Sequence, residues 1–384
     1  MKIKSTVTIF VIFVLNTFTY SNENCTTSID SLKINQLKCL GSHNSYHQRA
    51  NKFVLRFLKG LSGILPKSLD PKELDYAHEP LTIQLDSFQL RSVELDIYAD
   101  PKGGQFYYRK KNNLLGKPKA SGIAALKQPG FKIMHIPDID YNTNNFTFKN
   151  ALSELKNWSD KHPNHLPIYI LLECKEESIA DKLKNLHFTK TIPFTEEITD
   201  SIDAEIKTIF GNNLQQVITP DDVRGSYTTL RDAVLAGNFP TLATARGKFI
   251  FVMMEVGQEN YLKNHPSLKG RTMFVFSTPN KPECAFIKYD DPIVHKNEII
   301  DAVKKGFMVR TRADLPNHQN RSGDYTQQQI AFESGAQIIS CDYYTPDCRY
   351  KKHPKKFKNY STTIQGKTIG IINSVNTPQF KIGE

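Results

Sequence analysis

The stretch Ser92-Val93-Glu94-Leu95-Asp96-Ile97-Tyr98 decides how this chain is read. Val93, Leu95 and Ile97 alternate with Glu94, Asp96 and Tyr98, so a strand here turns its aliphatic side chains one way and its two acids the other. Two neighbouring anions repel, and a hard divalent cation held by oxygen ligands is the usual remedy. A surface strand with a solvated acidic face is the plain alternative. What separates the two readings is company. Gly41-Ser42-His43-Asn44-Ser45-Tyr46 lies upstream, and Lys132-Ile133-Met134-His135 and Leu171-Leu172-Glu173 lie downstream, each at the end of an apolar run that reads as a strand.

Working outward, Leu37 to Leu40 is a first strand, and Leu81, Leu85 and Phe88 recur at helical spacing behind Thr82 as a possible cap. Lys132 to His135 reads as a third strand. Phe148, Ala151, Leu152, Leu155 and Trp158 line one face of the helix that follows. Ile168 to Glu173 is a nearly all-apolar fourth strand, as expected when both faces are covered. Ile202, Ile206, Ile209 and Phe210 mark a helix stopped by Gly211. Phe249 to Met254, Met273 to Phe276, Phe307 to Val309 and Ile338 to Ser340 complete eight strands, with helices at about 296–304 and 325–333. Strands separated by helices, without internal repeats, predict an α/β fold, a single-domain (β/α)8 TIM-type barrel with extra loops. A doubly wound open sheet is the second choice. In the barrel, His43, Glu94 with Asp96, His135 and Glu173 end the first four strands and meet on the rim where active sites form.

The length of 384 residues accommodates such a barrel and a sizeable core. Lys2 and Lys4 precede an apolar run from Thr6 to Phe18, too short to span a membrane comfortably, so residues 1–21 read as a secretory signal peptide. The mature chain, 22–384, is then expected to be secreted and to carry no transmembrane segment. Asn24, Asn145, Asn157, Asn320 and Asn359 begin glycosylation acceptor patterns. Six cysteines, with Cys25 near Cys39 and Cys341 near Cys348, suggest local disulfides, while Cys174 reads as a buried thiol. The formal charge is +11, and removing Lys2 and Lys4 with the leader leaves +9. Much of the excess lies at the start of the C-terminal segment 349–384, in Arg349-Tyr350-Lys351-Lys352-His353-Pro354-Lys355-Lys356-Phe357-Lys358. That run is a solvated loop or an attraction to an anionic membrane surface. No nucleic-acid motif is present, so nucleic acid is not expected as a partner.

Asn44, Glu94, Asp96 and Glu173 form an all-oxygen set, favouring calcium, then magnesium, over zinc. Carboxylates alone also suit a glycosidase. His43 and His135 on the same rim argue for phosphoryl transfer instead, because one imidazole can pass a proton while the other stabilises an oxyanion. Lys175, two residues past Glu173, either neutralises a substrate phosphate or is a plain rim lysine. Arg310 and Tyr344 are candidates to bind and stack on a headgroup, against a core salt bridge and a packed loop.

His43-Asn44, Glu94-x-Asp96, His135 and Glu173, in this order, resemble the catalytic half-barrel of calcium-dependent phosphoinositide-specific phospholipase C. The wording from Tyr76 to Leu81, Arg91 to Gly104, Gly130 to Asp140, Ile218 to Gly225 and Pro240 to Gly247 is similar to its small secreted branch, and the likeness spans roughly residues 37–344. The resemblance implies cleavage of the glycerol-to-phosphate bond of an inositol phospholipid. It implies calcium on Asn44, Glu94, Asp96 and Glu173, charge stabilisation by His43, His135 as general acid, and Glu94 as the carboxylate taking the proton of the inositol 2-hydroxyl. The cysteines that branch often carries around residues 145–152 are absent, which implies one disulfide fewer. A barrel of glycerophosphodiesterase or sphingomyelinase D type also combines two histidines with Glu-x-Asp, although the Asn after the first histidine and the separate Glu173 favour the former. A secreted lipid-binding barrel without turnover is the third reading.

Overall fold

The computed structural model describes residues 29–60, 70–109, 118–177, 188–364 and 369–377. The leader and Cys25 lie outside them. Eight parallel strands form the wall: β1 (Leu37–Ser42), β2 (Ser92–Tyr98), β4 (Ile168–Cys174), β5 (Phe249–Met253), β6 (Phe274–Val275), β7 (Phe286–Lys288), β8 (Met308–Arg312) and β9 (Ile338–Cys341). Their order, β6-β5-β4-β2-β1-β9-β8-β7, runs once around. A parallel bridge from Phe276 to Phe286, with the Ser277 N–H donating to the Phe286 carbonyl at 2.9 Å, joins the two ends. The ring excludes the open sheet.

Two strand assignments change. Lys132–Ile133 (β3) is not a wall strand: it pairs antiparallel with the end of β2, Ile97 opposite Ile133 and Tyr98 opposite Lys132. The run is too short to cross the barrel, and the chain there doubles back along β2. The missing wall strand is β7, whose three residues Phe286-Ile287-Lys288 carry too short a pattern to stand out.

All seven residues of β2 are buried, which removes the solvated-face reading of Glu94 and Asp96. Val93, Leu95 and Ile97 join Ile170, Leu172, Phe251 and Phe286 in the main core, each fully buried aliphatic side chain contributing roughly 1.5–3 kcal/mol. The helices Phe148–Lys161 and Glu196–Phe210 start on Thr147 and Thr195, whose hydroxyls accept from the backbone three residues on, and bury the apolar faces expected of them. Gly211, at φ +81°, stops the second. The helix Leu81–Asp86 begins behind Pro80, so Thr82 is not its cap.

Cys341 is buried at the end of β9 with its thiol against the Gly41 carbonyl, 3.5 Å away, while Cys348 is exposed and free, so these two are not bridged. Cys39, Cys174 and Cys284 are also free and buried. Asn145 and Asn320 are buried, and the Asn145 amide donates to Glu154 at 3.0 Å, which closes both acceptor patterns to a glycan in the folded chain. Asn157 and Asn359 are exposed. Among the described residues, no helix is long and apolar enough to cross a membrane.

Candidate active site at the barrel mouth

Strand register assembles the acids. Glu94 and Asp96 are two apart on β2, and the parallel pairing with β4 sets Asp96 opposite Glu173. The three carboxylates bring one oxygen each within 4.8 Å of the others. Asn44 follows β1 in a left-handed conformation, φ +47°. The Ser45 N–H donates to the Glu94 carbonyl at 2.9 Å, tying that loop to β2. The Asn44 amide nitrogen donates to the Tyr76 hydroxyl at 3.1 Å. Its buried amide oxygen has no hydrogen-bond partner, and buried Asp96 faces the Lys175 ammonium, 3.2 Å from Oδ2.

An unsatisfied buried oxygen is costly, and three clustered carboxylates together with the orphaned Asn44 amide oxygen fit a hard cation of calcium type. Burial, reinforced by Glu173 and Glu94, pushes the Asp96 carboxyl well above the usual carboxylate range, while Lys175 opposes it. Burial would raise Glu173 as well, yet Lys175 and, more weakly, His43 and His135 hold it down. Both imidazoles therefore act on the same carboxylate.

Each histidine is held by a buried acid. His43 Nδ1 donates to Asp342 at 2.8 Å, leaving Nε2 3.5 Å from Glu94 Oε1 and 3.4 Å from an Arg312 guanidinium nitrogen. Arg312 also donates to Asp342 at 2.7 Å. Burial would raise the Asp342 carboxyl, but His43 and Arg312 hold it well below the normal range. Asp314 accepts the backbone N–H groups of Asp342 and Tyr343, and burial beside Asp342 pushes it up to about 7. On the other side, His135 Nδ1 donates to Asp140 Oδ2 at 2.9 Å, and the same oxygen accepts from His47 Nε2 at 2.7 Å. Burial lowers His135, with Asp140 pulling the other way.

His135 reaches the rim by the antiparallel excursion, not at the end of a wall strand. The Tyr98 hydroxyl fixes it by donating to the His135 carbonyl at 2.8 Å. The loop after β1 zips against residues 142–144, with Asn144 N–H donating to Tyr46 at 2.8 Å, which brings His47 to Asp140.

Of the substrate candidates, Lys175 faces the acids, 2.9 Å from Glu173 and 3.2 Å from Asp96. Arg310 is 2 % exposed and committed to Glu94, at 2.8 Å, and to Asp290, so it forms the core salt bridge. Tyr344 is packed between His78 and Phe88, its hydroxyl accepting from the Glu79 N–H at 3.0 Å, as the packed-loop reading has it. Sequence reasoning passed over Arg312, Asp342, Asp140 and His47. Arg312 and Asp342 carry the same signal as Glu94, a charged residue at the C-terminal end of an apolar strand. Asp140 and His47 carry none without the loop pairing.

A family model for calcium-dependent phosphoinositide phospholipase C matches residues 32–368, most of the chain. The chain belongs to that family. It is therefore a phosphoric diester hydrolase with calcium as its cofactor and a phosphoinositide as its substrate. No curated protein sequence matches. Among solved structures, this phospholipase C is similar to the calcium-dependent phosphoinositol-specific enzyme of a Pseudomonas species, at 13% identity and TM-score 0.52 over 90% of this chain and 97% of that one. The calcium-dependent phosphatidylinositol-specific enzyme of Streptomyces antibioticus matches at 16% identity and TM-score 0.50 over 81% and 95%. At such identities the likeness speaks for the shared barrel.

Proposed function

We propose that this phospholipase C cleaves the glycerol-phosphate bond of phosphatidylinositol-type lipids, releasing diacylglycerol and a cyclic inositol phosphate that is hydrolysed in turn. The carrying observation is the pair of imidazoles, each held at Nδ1 by a buried acid, beside a cluster of three carboxylates, together with the orphaned amide oxygen of Asn44. Asn44, Glu94, Asp96 and Glu173 would hold calcium. Bound there, calcium supplies charge neutralisation for a nonbridging phosphate oxygen and makes the inositol 2-hydroxyl more acidic.

Glu94 takes the proton of the 2-hydroxyl as that oxygen forms its bond to phosphorus. His43, with Arg312 beside it, donates toward the charge on the phosphorane. The phosphorus-to-glycerol-oxygen bond breaks, and His135 passes its proton to the departing oxygen. The Asp140 hydrogen bond at Nδ1 leaves Nε2 as the nitrogen for that transfer, and burial makes the imidazolium a stronger acid. Water then replaces the diacylglycerol and the same groups run in reverse.

The discriminating assay compares phosphatidylinositol with glycerophosphocholine and sphingomyelin, with calcium and with chelator, following cyclic product by phosphorus NMR. Turnover of the inositol lipid alone, dependent on calcium, is expected. His135→Ala is expected to bind calcium almost as the parent does and to lose at least about a hundredfold in turnover. Normal turnover by that variant would remove His135 as the acid. Calcium-dependent vesicle binding without inositol phosphate release would instead favour a silent lipid-binding barrel.

The enzyme is further proposed to be exported and to work at an anionic leaflet. Export rests on the leader in residues 1–21, since the cysteines and two buried acceptor asparagines add nothing to it. The leaflet is supported by Lys351, Lys352, Lys355, Lys356 and Lys358, all exposed and, among the described residues, without a carboxylate partner. Arg349 ties their loop to Asp75 and Asp347 on the side of the barrel where β9 ends.

A further inference from the structure

Lys175 stands inside the acidic cluster. Its Nζ is 2.9 Å from Glu173 Oε1 and 3.2 Å from Asp96 Oδ2, and its backbone N–H donates to the Ile97 carbonyl at 3.0 Å, which fixes its root beside β2. Glu94 has a different cation, Arg310, at 2.8 Å. Three carboxylates with two internal cations leave a formal charge of −1. The two cations differ in freedom. Arg310 is 2 % exposed and held from its other side by Asp290, whereas the Lys175 side chain keeps 23% exposure at the end of a flexible stem.

We propose that Lys175 is a built-in competitor for the calcium site. Calcium is admitted when the ammonium leaves Asp96 and Glu173 for the solvent-facing side, and Lys175 thereby sets the calcium concentration at which the enzyme is loaded. The inference rests on the ligand assignment proposed above. A divalent cation sharing those oxygens with a retained ammonium would meet a like charge within a few ångströms, so the two occupancies exclude each other. Each ion pair broken on entry is subtracted from the affinity, which tunes the site toward higher calcium than three free carboxylates would need.

Calorimetric titration of calcium into the lipid-free enzyme tests this in the parent, Lys175→Met and Lys175→Arg. Lys175→Met is expected to bind at least about tenfold more tightly, and Lys175→Arg to stay near the parent. Equal or weaker binding by a folded Lys175→Met overturns the proposal. A second measurement needs no variant: in parent enzyme labelled at lysine, the Lys175 side-chain resonance is expected to shift in step with calcium saturation. A resonance that stays in place while calcium saturates overturns the proposal with the ligand assignment intact. A parent enzyme that binds no calcium overturns that assignment and this inference together.

Discussion

Asp140 serves two imidazoles with one oxygen. Burial alone would raise its carboxyl, but His47 and His135 hold it at about 2. That value lies below the ordinary unfolded one, about 3.9, so folding favours the ionised form. The stabilisation is complete above roughly pH 5 and is lost as pH falls through about 2; a displacement of this size is worth about 2–3 kcal/mol. An amide at position 140 can accept from one imidazole and turns a donor toward the other. Asp140→Asn is therefore expected to lower the melting temperature at neutral pH, to flatten the acid limb of stability, and to cut turnover by at least about a hundredfold. Melting curves between pH 7 and 3, read beside kcat, check it. Full turnover in a stable variant would show that His135 needs no orienting acid. At this scale the sequence was readable for Glu94, Asp96, Glu173 and His43. It was not for Asp140, because, although His135 is five residues away, the second imidazole it serves, His47, is 93 positions distant, and neither bond shows before the loops pair.

Among the elements, the seam between β1 and β2 is the thinnest part of the site's foundation. β2 pairs with β4 from Ser92 to Ile97, whereas β1 meets β2 in register only at Gly41 and Ser92. The strands come so close there that a Cβ on Gly41 would lie 2.5 Å from Ser92 Cβ and 2.9 Å from its carbonyl oxygen. Gly41→Ala is expected to push the seam apart at about 1–3 kcal/mol, seen as a lower melting temperature. Because Asn44 follows β1 and Glu94 lies on β2, calcium affinity is expected to fall with it. An unchanged melting temperature would mean that the seam spreads freely. The element-level misreadings have plain causes. β7 is too short for its period to register, and β3 has a strand's composition without a wall strand's neighbours. Arg310 and Tyr344 each carry two readings in the sequence, a headgroup contact against a core salt bridge for the first and a packed loop for the second, since a residue at a strand end shows its position but not its partner; Arg310 pairs with Glu94 and Tyr344 stacks on His78.

On the scale of the whole molecule, charge and mouth lie together. The five exposed lysines of the loop after Arg349 follow β9, and β9 ends at the residues that hold His43. Near an anionic leaflet each basic residue is worth about 1 kcal/mol. Protein recovered from the medium, with a mass that begins at Asn22, is expected to sediment with vesicles containing phosphatidylserine and to be released as salt shortens the screening length. Replacing the five lysines by glutamine should abolish that binding while leaving turnover of a short-chain soluble substrate unchanged. Salt-independent binding, or a mass that includes the leader, would overturn the corresponding half of this picture.

The sequence alone carried the barrel, the acid pair on β2 and the first histidine through local period and position at strand ends, and the calcium-dependent phospholipase C family through the resemblance of its ordered motifs. Only the tertiary structure decided that His135 arrives on an antiparallel excursion, that Asp140 and Asp342 orient the two imidazoles, and that Lys175 lies among the acids while Arg310 and Tyr344 are spent on packing and ion pairs. His43 and Asp342, Lys175 and Asp96, and Ile97 and Ile133 lie far apart in the chain, and even the near pair His135 and Asp140 reaches 2.9 Å only through a folded loop, so one-dimensional order does not encode these distances until the strands close.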